Sequence, residues 1–284
     1  MSNALRIAHG RFGRVALLDM DRSLVRHAHP HCHVLLKVEG ADTQFSVGER
    51  RVPLTGETAV LINAWEPHAY VHDPARPRTV ILALYIEPHW LGAFRSNWVA
   101  SAGPGFFSDP AGTITPRISE LARELAFAMV HAPDDQPDQE ERLADLMIAV
   151  IERFTSWRSV APSLREVAAS GAVDFRIRRA LSVIRENPGA ALDTGVLARE
   201  AGLSRAHFFR LFERSLNVTP RVYLNVLRME MAVAAVVRGD DSLATVSDRL
   251  GFSAPAHFTR FFSDHAGSSP SEFRTVARLA AGAF

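Results

Sequence analysis

The sequence predicts an α+β multidomain protein that begins with a β-barrel, continues with a pair of helices and ends with an all-α domain. Short apolar runs separated by turn-forming residues occupy residues 12–87, helical stripes begin after residue 115, and one pattern occurs twice near the C-terminus. The chain has 284 residues, of which 47% are hydrophobic, so two ordinary domains can each bury a core. We place the domain boundaries at 1–95, 96–168 and 169–284.

Composition excludes several classes of protein. Cys32 is the single cysteine, which rules out an intramolecular disulfide framework and four-cysteine zinc modules. No segment approaches the roughly 18 apolar residues of a membrane span, and the N-terminus lacks a basic stretch followed by an apolar run. We therefore expect a soluble, cytoplasmic protein with no membrane partner. From residue 172 onward, 15 arginines against 11 acidic residues make the C-terminal third the basic part.

The first domain is predicted to consist of short β-strands. Apolar runs lie at 14–18, 34–38, 58–62 and 79–85, and turn-forming residues separate them. Many short strands without intervening helices favour a closed barrel or a sandwich.

The middle segment is predicted to form two amphipathic helices. Thr115-Pro116 is a good N-cap and first-turn pair, and an apolar stripe follows from Ile118 to Met129. A second stripe runs from Leu143 to Phe154. Two interpretations are open: the stripes complete the core of the first domain, or they form the interface of a homodimer.

The C-terminal domain contains one pattern twice. The two copies are Gly202-Leu203-Ser204 followed by His207–Phe212, and Gly251-Phe252-Ser253 followed by His257–Phe262. Their His-Phe-x-Arg-x-Phe cores lie 50 positions apart, which indicates a repeated structural unit. Each copy is predicted to be a short helix, a Gly-containing turn and a second helix, an arrangement that places a helix in the DNA major groove. A helix from Pro220 to Arg238, about 27 Å long, is predicted to connect the copies.

The helical period gives the second helix of each copy an inner and an outer face. The inner faces carry Phe208, Leu211 and Phe212 in the first copy, and Phe258, Phe261 and Phe262 in the second. Outward arginines can pair with guanine or phosphate, and Ala and Thr methyl groups suit the thymine methyl. We expect His207 to pack or to contact phosphate. The candidate DNA-binding residues are Arg205, Ala206, His207, Phe209, Arg210, Ala256, Thr259 and Arg260.

These residues resemble the C-terminal DNA-binding domain of the AraC/XylS family of bacterial transcription regulators. The resemblance extends from Asp174 to Arg274. Besides the two copies, it includes Leu197-Ala198, Leu227–Ala232 and the closing Pro270–Arg274. Ser247 stands where the family usually has alanine, and Asn217 where it usually has glycine, and neither departure threatens the fold.

The resemblance implies a DNA-binding transcription regulator and no enzymatic activity. Its recognition helices, Ser204–Ser215 and Ala254–Asp264, would enter adjacent major grooves of double-stranded promoter DNA. A homodimer is the expected assembly, and RNA polymerase is the expected partner if the protein is an activator.

A histidine-rich segment at residues 26–33 is the second unusual feature. In an extended strand, residues 27, 29, 31 and 33 point to one face, so four imidazoles converge. With the downstream histidine at 68, the segment resembles the two motifs of the cupin barrel. His27 and His29 fit its His-x-His, His33 takes the place of its Glu, and His68 fits the second-motif His. Family members with this DNA-binding domain often carry such a barrel as an effector-sensing domain.

A bound metal is one interpretation of these histidines. Neutral imidazoles suit zinc, copper, iron or nickel, and the loss of the anionic ligand argues more against iron than against zinc or nickel. Sensory barrels of this family commonly keep such histidines without metal, so no cofactor is required. A divalent zinc or nickel ion at His27, His29, His33 and His68 is the hypothesis. An effector pocket is expected in the same barrel, near Trp65 and Tyr70.

Three functions are open at this point. The preferred one is a regulator whose barrel (1–95) senses a small molecule or metal, whose helices (96–168) mediate dimerisation, and whose C-terminal domain (169–284) binds a promoter. The second is a metal-dependent cupin enzyme with an accessory helical domain, in which the repeated motif has no role. The third is a regulator in which the histidines sense a metal.

Overall fold

The structure is a computed structural model of the chain. It describes residues 3–103, 105–155, 174–186, 194–216 and 218–279. The chain divides into two compact units. The first unit comprises residues 1–158 and 259–284, and the second comprises residues 159–258.

Within the described residues, nine strands of the first unit form two antiparallel sheets. The strands are β1 Asn3–Gly10, β2 Gly13–Met20, β3 Cys32–Gly40, β4 Thr43–Val47, β5 Arg50–Leu54, β6 Thr58–Ile62, β7 His68–Val71, β8 Thr79–Ile86 and β9 Ala111–Thr113. The larger sheet has the order β1-β2-β8-β3-β6-β9, and the smaller has the order β5-β4-β7. The predicted β-rich N-terminal domain is confirmed, and its first strand begins at residue 3.

The two faces of the larger sheet have different roles. Residues such as Leu17, Val34 and Leu84 point to one face and join the hydrophobic core of the unit. On the other face, Arg14 of β2 lies opposite Tyr85 of β8, and Tyr85 also lies opposite the histidine at position 33 of β3. Because directly opposite residues share a face, these three side chains form one row across three strands.

In residues 1–158 of this unit, the described α-helices are α1 Pro88–Phe94, α2 Pro116–His131 and α3 Gln136–Phe154. Thr115 caps α2 as predicted, because its hydroxyl oxygen accepts a hydrogen bond from the N–H of Ile118 at 3.3 Å. Helices α2 and α3 pack together, and their apolar stripes lie in the same core as the larger sheet.

The structure decides between the two interpretations of the apolar stripes. Leu121, Leu125, Leu146 and Val150 are buried within the first unit, so the idea that the stripes form a dimer interface is wrong. The large apolar side chains of α2 left in solvent are Phe127, which is 63% exposed, and Val130, which is 37% exposed. A homodimer contact therefore has to use other surfaces than these stripes.

The C-terminal helices follow the predicted order. They are α4 Phe175–Glu186, α5 Thr194–Glu200, α6 Arg205–Leu216, α7 Pro220–Arg238, α8 Leu243–Arg249, α9 Pro255–Ala266 and α10 Pro270–Leu279. Helix α7 has the bounds expected for the connecting helix, and Thr219 caps it. Ser242 caps α8. Asn217 and the 168/169 domain boundary lie outside the described residues.

Candidate functional site

The two copies of the repeat close their turns in the same way. In the first copy, Gly202 has a φ of 67°, and the N–H of the next residue donates to the carbonyl oxygen of Ala198 at 2.9 Å. In the second copy, Gly251 has a φ of 73°, and the N–H of the next residue donates to the carbonyl oxygen of Ser247 at 3.1 Å. Each hydrogen bond closes a helix C-terminus through a glycine in the left-handed region. The repeat in the sequence is therefore also a repeat in local structure.

Helix α6 of the first copy has the two faces that the period predicts. Phe208 and Phe212 are fully buried, and the ring of Phe212 packs edge-on against Tyr223 of α7 at 5.5 Å between centroids. The outer residues Arg205, Ala206, His207 and Arg210 are exposed. Phe209 was expected to point outward, but it is only half-exposed, because its ring packs near Phe208 and the Arg205 guanidinium lies 5.9 Å from it. Leu211 is likewise half-buried rather than buried.

Helix α9 of the second copy repeats this arrangement. Phe258 and Phe262 are fully buried, and Ala256, Thr259 and Arg260 are exposed. The expectation that Phe261 is buried is wrong: it is half-buried and packs on the imidazole of His265, 4.3 Å between ring centroids. The residue lies at the edge of the inner face, where the helical period alone does not decide burial.

The two repeated arginines keep their charge available to a partner. Among the described residues, neither Arg210 nor Arg260 forms an ion pair. By contrast, a guanidinium nitrogen of Arg249, at the end of α8, lies 2.8 Å from the carboxylate of Asp241. An exposed, unpaired guanidinium suits bidentate contact with guanine or with phosphate.

Three histidines of the first unit come together as the sequence predicts. Ligand nitrogens of His27, His29 and His68 all lie within 4.8 Å of one another, and all three residues are buried. We call these three residues the histidine cluster. The backbone of His27 pairs with that of His68 through two hydrogen bonds of 2.9 and 2.8 Å, which fixes the two side chains side by side.

The strand expected to present the histidines is not observed. Residues 28–31 lie in a loop, and β3 begins only at Cys32, because Pro30 interrupts the extended chain. His31 leaves the others, and its Nε2 lies 3.0 Å from the carboxylate of Glu87. His33 is buried beside the cluster, with its ring 5.5 Å from that of His68, but it is not among the three residues whose ring nitrogens lie within 4.8 Å of one another. Its place in a metal site stays a prediction.

The hydrogen bonds of the cluster suit a metal ligand set. The Nδ1–H of His27 donates to the carbonyl oxygen of Val25 at 2.7 Å, and the Nδ1–H of His68 donates to that of Glu66 at 2.9 Å. Such bonds fix the tautomer, so that Nε2 carries the lone pair, as in most metal-bound histidines. The Nε2 of His68 is buried with no hydrogen-bond partner among the described residues. A transition metal ion would fit these residues.

Burial keeps the histidine cluster neutral. Desolvation is the main cause that lowers the pKa of His27 and His29 well below the usual value, and neighbouring histidines lower it further. The pKa of His68 falls to about 4 for the same first reason. Neutral imidazole is the form that binds a metal, so no proton has to leave at neutral pH.

The two residues expected near an effector pocket differ in setting. Tyr70 is buried against Phe45, with ring centroids 5.2 Å apart. Trp65 is half-exposed in the turn before β7, has a φ of 64°, and donates its backbone N–H to the carbonyl oxygen of His29 at 2.7 Å. A surface cavity of about 370 Å³ beside β4 and β5 has neither residue in its lining. The effector role of Trp65 and Tyr70 stays a prediction.

Sequence reasoning missed Arg14. The residue is only 9% exposed, and among the described residues its Nε has no hydrogen-bond partner and no carboxylate pairs with it. The guanidinium lies 3.9 Å from the ring centroid of Tyr85, which is 4.8 Å from the ring of His29. Burying a cation costs several kcal/mol, whereas a cation–π contact returns about 2 kcal/mol. The strand alternation of β2 was the available signal, since it places an arginine on an inward face.

The C-terminal part of the first unit also reaches the histidine cluster. The ring of His265 lies 6.0 Å from that of His27, and the N–H of Val25 donates to the carbonyl oxygen of Asp264 at 3.3 Å. Phe273 of α10 lies 5.9 Å from the guanidinium of Arg14. These contacts contribute to the burial of the cluster.

Comparison with known proteins assigns both halves of the chain. The family described as "AraC-like ligand binding domain" matches residues 16–148, and the family described as "Helix-turn-helix domain" matches residues 197–275. None of the described helices is long and apolar enough to cross a membrane.

Several curated relatives are transcription regulators by name. The Msm operon regulatory protein of Streptococcus mutans is 26% identical over 132 residues, which is 46% of this chain and 45% of that protein. The lactose operon transcription activator of Staphylococcus xylosus is 26% identical over 46% of this chain and 44% of its own length. These matches thus span less than half of either relative. The probable transcriptional regulator LumQ of Photobacterium leiognathi is 23% identical over 91% of this chain and 95% of its own.

A solved structure shares the overall fold of the chain. An apo form of ToxT from Vibrio cholerae superposes with a TM-score of 0.58 at 12% identity, covering 96% of this chain and all of the other. ToxT from another V. cholerae strain gives a TM-score of 0.53 at 9% identity. At such identities the likeness concerns the fold alone.

Proposed function

Because this chain belongs to the AraC/XylS family of transcription regulators, we propose that its affinity for promoter DNA is set by a small molecule or metal bound in its N-terminal domain. The protein is a regulator with an N-terminal ligand-binding domain and a C-terminal helix-turn-helix DNA-binding domain. The observation that carries the proposal is the pair of glycine-closed turns, each followed by a helix with a buried Phe face and an exposed arginine. Ligand binding changes DNA affinity only if it favours one arrangement of the protein over another.

The proposed DNA contacts are the outer residues of α6 and α9. Arg210 and Arg260 would pair with guanine or phosphate, and Ala206, Ala256 and Thr259 would meet thymine methyl groups. Arg205 and His207 are exposed on the same helix and would contact the DNA backbone, and the half-exposed Phe209 would make an apolar contact to bases. Binding to promoter DNA would place the protein in the cytoplasm.

Selection of DNA from the organism's own genome tests the proposal. Purified full-length protein is mixed with sheared genomic fragments, and the retained fragments are sequenced and measured again in gel shifts. We expect a small set of fragments upstream of genes to bind much more tightly than random DNA of equal length. Retention of random fragments with equal affinity would contradict sequence-specific regulation.

We further propose that the histidine cluster binds a zinc or nickel ion. Three neutral imidazoles, two of them with tautomers fixed by hydrogen bonds, leave at least one coordination position for water or for a ligand. Titration of metal-free protein with Zn²⁺ or Ni²⁺ in a calorimeter should show one site, and the His68→Gln variant should lose it. The matched control is His31→Gln, because His31 pairs with Glu87 outside the cluster. Equal metal affinity in both variants would refute this assignment.

The rival function is a metal-dependent cupin enzyme. The histidine cluster supports it, but it leaves the two exposed arginines and the repeated turns without a role. We propose that the protein is not an enzyme. Metal analysis followed by turnover assays separates the two: stoichiometric metal together with product formation would favour the enzyme.

We propose a homodimer, with RNA polymerase as the partner if the protein activates transcription. The proposal rests on the family resemblance, and the contact has to use other surfaces because the apolar stripes of α2 and α3 are used inside the first unit. Light scattering at micromolar protein concentration should give twice the monomer mass of 31.3 kDa. Monomers alone at that concentration would contradict the dimer.

A further inference from the structure

Arg14 lies in a part of the first unit where nothing described neutralises its charge. Its row across the larger sheet continues through Tyr85 to His33, and the histidine cluster borders this row. His33 and His29 are also buried, and the guanidinium packs over the Tyr85 ring. A guanidinium stays charged at any pH at which proteins fold, so it cannot escape the cost by losing a proton.

A buried, unpaired cation is a poor structural element. Replacing such a group by an apolar one of similar volume is often neutral or stabilising. The cation–π contact with Tyr85 offsets part of the desolvation but supplies no hydrogen-bond acceptor. The Nε–H of Arg14 remains without an acceptor in the described residues. Both observations indicate an acceptor that binds here from outside the chain.

We propose that Arg14 binds the carboxylate of a small organic acid beside the histidine cluster, and that this acid is the effector of the regulator. That the acid is the effector rests on the proposed function, whereas carboxylate binding at Arg14 rests on the geometry alone. The guanidinium has a planar set of donors that matches the two oxygens of a carboxylate.

The surroundings favour a carboxylate over a phosphate. Arg14 is a single cation, and its nearest neighbours are the Tyr85 ring and neutral imidazoles. One positive charge balances a monoanion, whereas a phosphate dianion would leave a negative charge buried without a partner. The aromatic lining suits the apolar part of an organic acid.

Binding of simple acids to the full-length protein tests the proposal. Acetate, butyrate, benzoate and inorganic phosphate are titrated at millimolar concentration into protein freed of metal with EDTA, and binding is followed by calorimetry and by the thermal midpoint. At least one carboxylate should bind saturably and raise the midpoint, and phosphate should bind more weakly. The Arg14→Gln variant should weaken carboxylate binding by about tenfold or more. Arg14→Lys should retain part of it, because the charge remains while the planar fork is lost.

The matched control is Arg11→Gln. Arg11 lies in the turn between β1 and β2, and its side chain is solvent-exposed and pairs with Glu140 at 3.2 Å. This variant should bind the acids as the wild type does. Without ligand, Arg14→Gln should have a thermal midpoint at or above that of the wild type, because an unpaired buried charge has been removed.

Three results would overturn the proposal. They are the absence of binding by all three carboxylates, equal carboxylate binding by Arg14→Gln, and tighter binding of phosphate than of carboxylate. Gel shifts with the genomic fragments keep this test apart from the proposed function. Carboxylate binding without sequence-specific DNA binding would leave Arg14 as an acid-binding residue and remove the regulator. Specific DNA binding without carboxylate binding would support the regulator and remove Arg14 as an acid-binding residue.

Discussion

The recognition helices and the histidine-lined sheet place their polar groups in opposite environments. In α6 and α9 the charged residues Arg210 and Arg260 are exposed, and the phenylalanines of the opposite face are buried. In the first unit, Arg14 and the histidine cluster are buried, and the Nε of Arg14 and the Nε2 of His68 have no hydrogen-bond partner among the described residues. Exposed cations are stable in water until a large partner such as DNA binds them. Buried cations and imidazoles instead indicate a small ligand that enters the fold.

The two regions also differ in the distances along the chain that build them. Each recognition helix takes its faces from 12 consecutive residues, so local periodicity determines which side chains point outward. The site in the sheet combines position 14 with positions 27–29, 68 and 85, and strand pairing brings them together. The first site is a local property of the sequence, and the second is a property of the tertiary fold.

The largest expected effect comes from truncating the inner faces of the recognition helices. Phe212→Ala and Phe262→Ala should each lower the free energy of unfolding by about 3–5 kcal/mol, because both rings are fully buried. Phe209→Ala is the control in the same helix, and its half-exposed ring should cost distinctly less. Chemical denaturation of the full-length protein measures these differences. Equal losses for Phe209 and Phe212 would remove the distinction between the two faces.

The next effect concerns the buried histidines. In metal-free protein, unfolded His68 takes up a proton below about pH 6.5, whereas folded His68 does so only near pH 4. The unfolded state therefore binds more protons in this window, and stability should fall by about 3 kcal/mol for His68 as the pH drops from 7 to 4. Thermal melts in EDTA from pH 7.5 to 4.5 follow the loss. The His68→Leu variant should show a shallower decline, and an unchanged pH slope would refute burial of a neutral imidazole.

Removal of helix N-caps should have a smaller effect on stability, and it tests whether capping contributes equally in both regions. Thr115 caps α2 beside the sheet, and Ser242 caps α8 in the helix-turn-helix domain, each through its hydroxyl oxygen. Thr115→Ala and Ser242→Ala should each cost about 1 kcal/mol of unfolding free energy. Ser263→Ala is the control, because Ser263 lies within α9 and its hydroxyl makes no hydrogen bond among the described residues. A loss confined to one of the two caps would show that tertiary context outweighs capping there.

Much of the fold could be predicted because it depends on local signals. The caps at Thr115, Thr219 and Ser242, the bounds of α7 and the buried phenylalanines follow from residues within one or two turns. The β-rich N-terminal domain followed from short apolar runs between turns. The family resemblance of the C-terminal domain is confirmed by the helix-turn-helix match.

The candidate site in the sheet was only partly predictable. His27, His29 and His68 do meet and His33 lies beside them, but strand alternation wrongly placed His31 on the same face. The loop that contains Pro30 turns His31 toward Glu87, a residue 56 positions away, and no local pattern contains that contact. Arg14 was missed because its neighbours come from β8 and from the loop before β3. The apolar stripes of α2 and α3 could not reveal whether their partner was the same chain or a second copy.

The most direct test of the central claim is the DNA affinity of variants in which one of the two repeated arginines is replaced. With a genomic fragment that the wild type retains, Arg210→Ala and Arg260→Ala should each weaken specific binding by about 1–3 kcal/mol, while Arg249→Ala, whose guanidinium pairs with Asp241, should not. Fluorescence anisotropy at fixed salt gives the three dissociation constants. Losses in both repeat variants are the predicted result. Wild-type affinity in Arg210→Ala and Arg260→Ala alike would contradict the account of how this protein reads DNA.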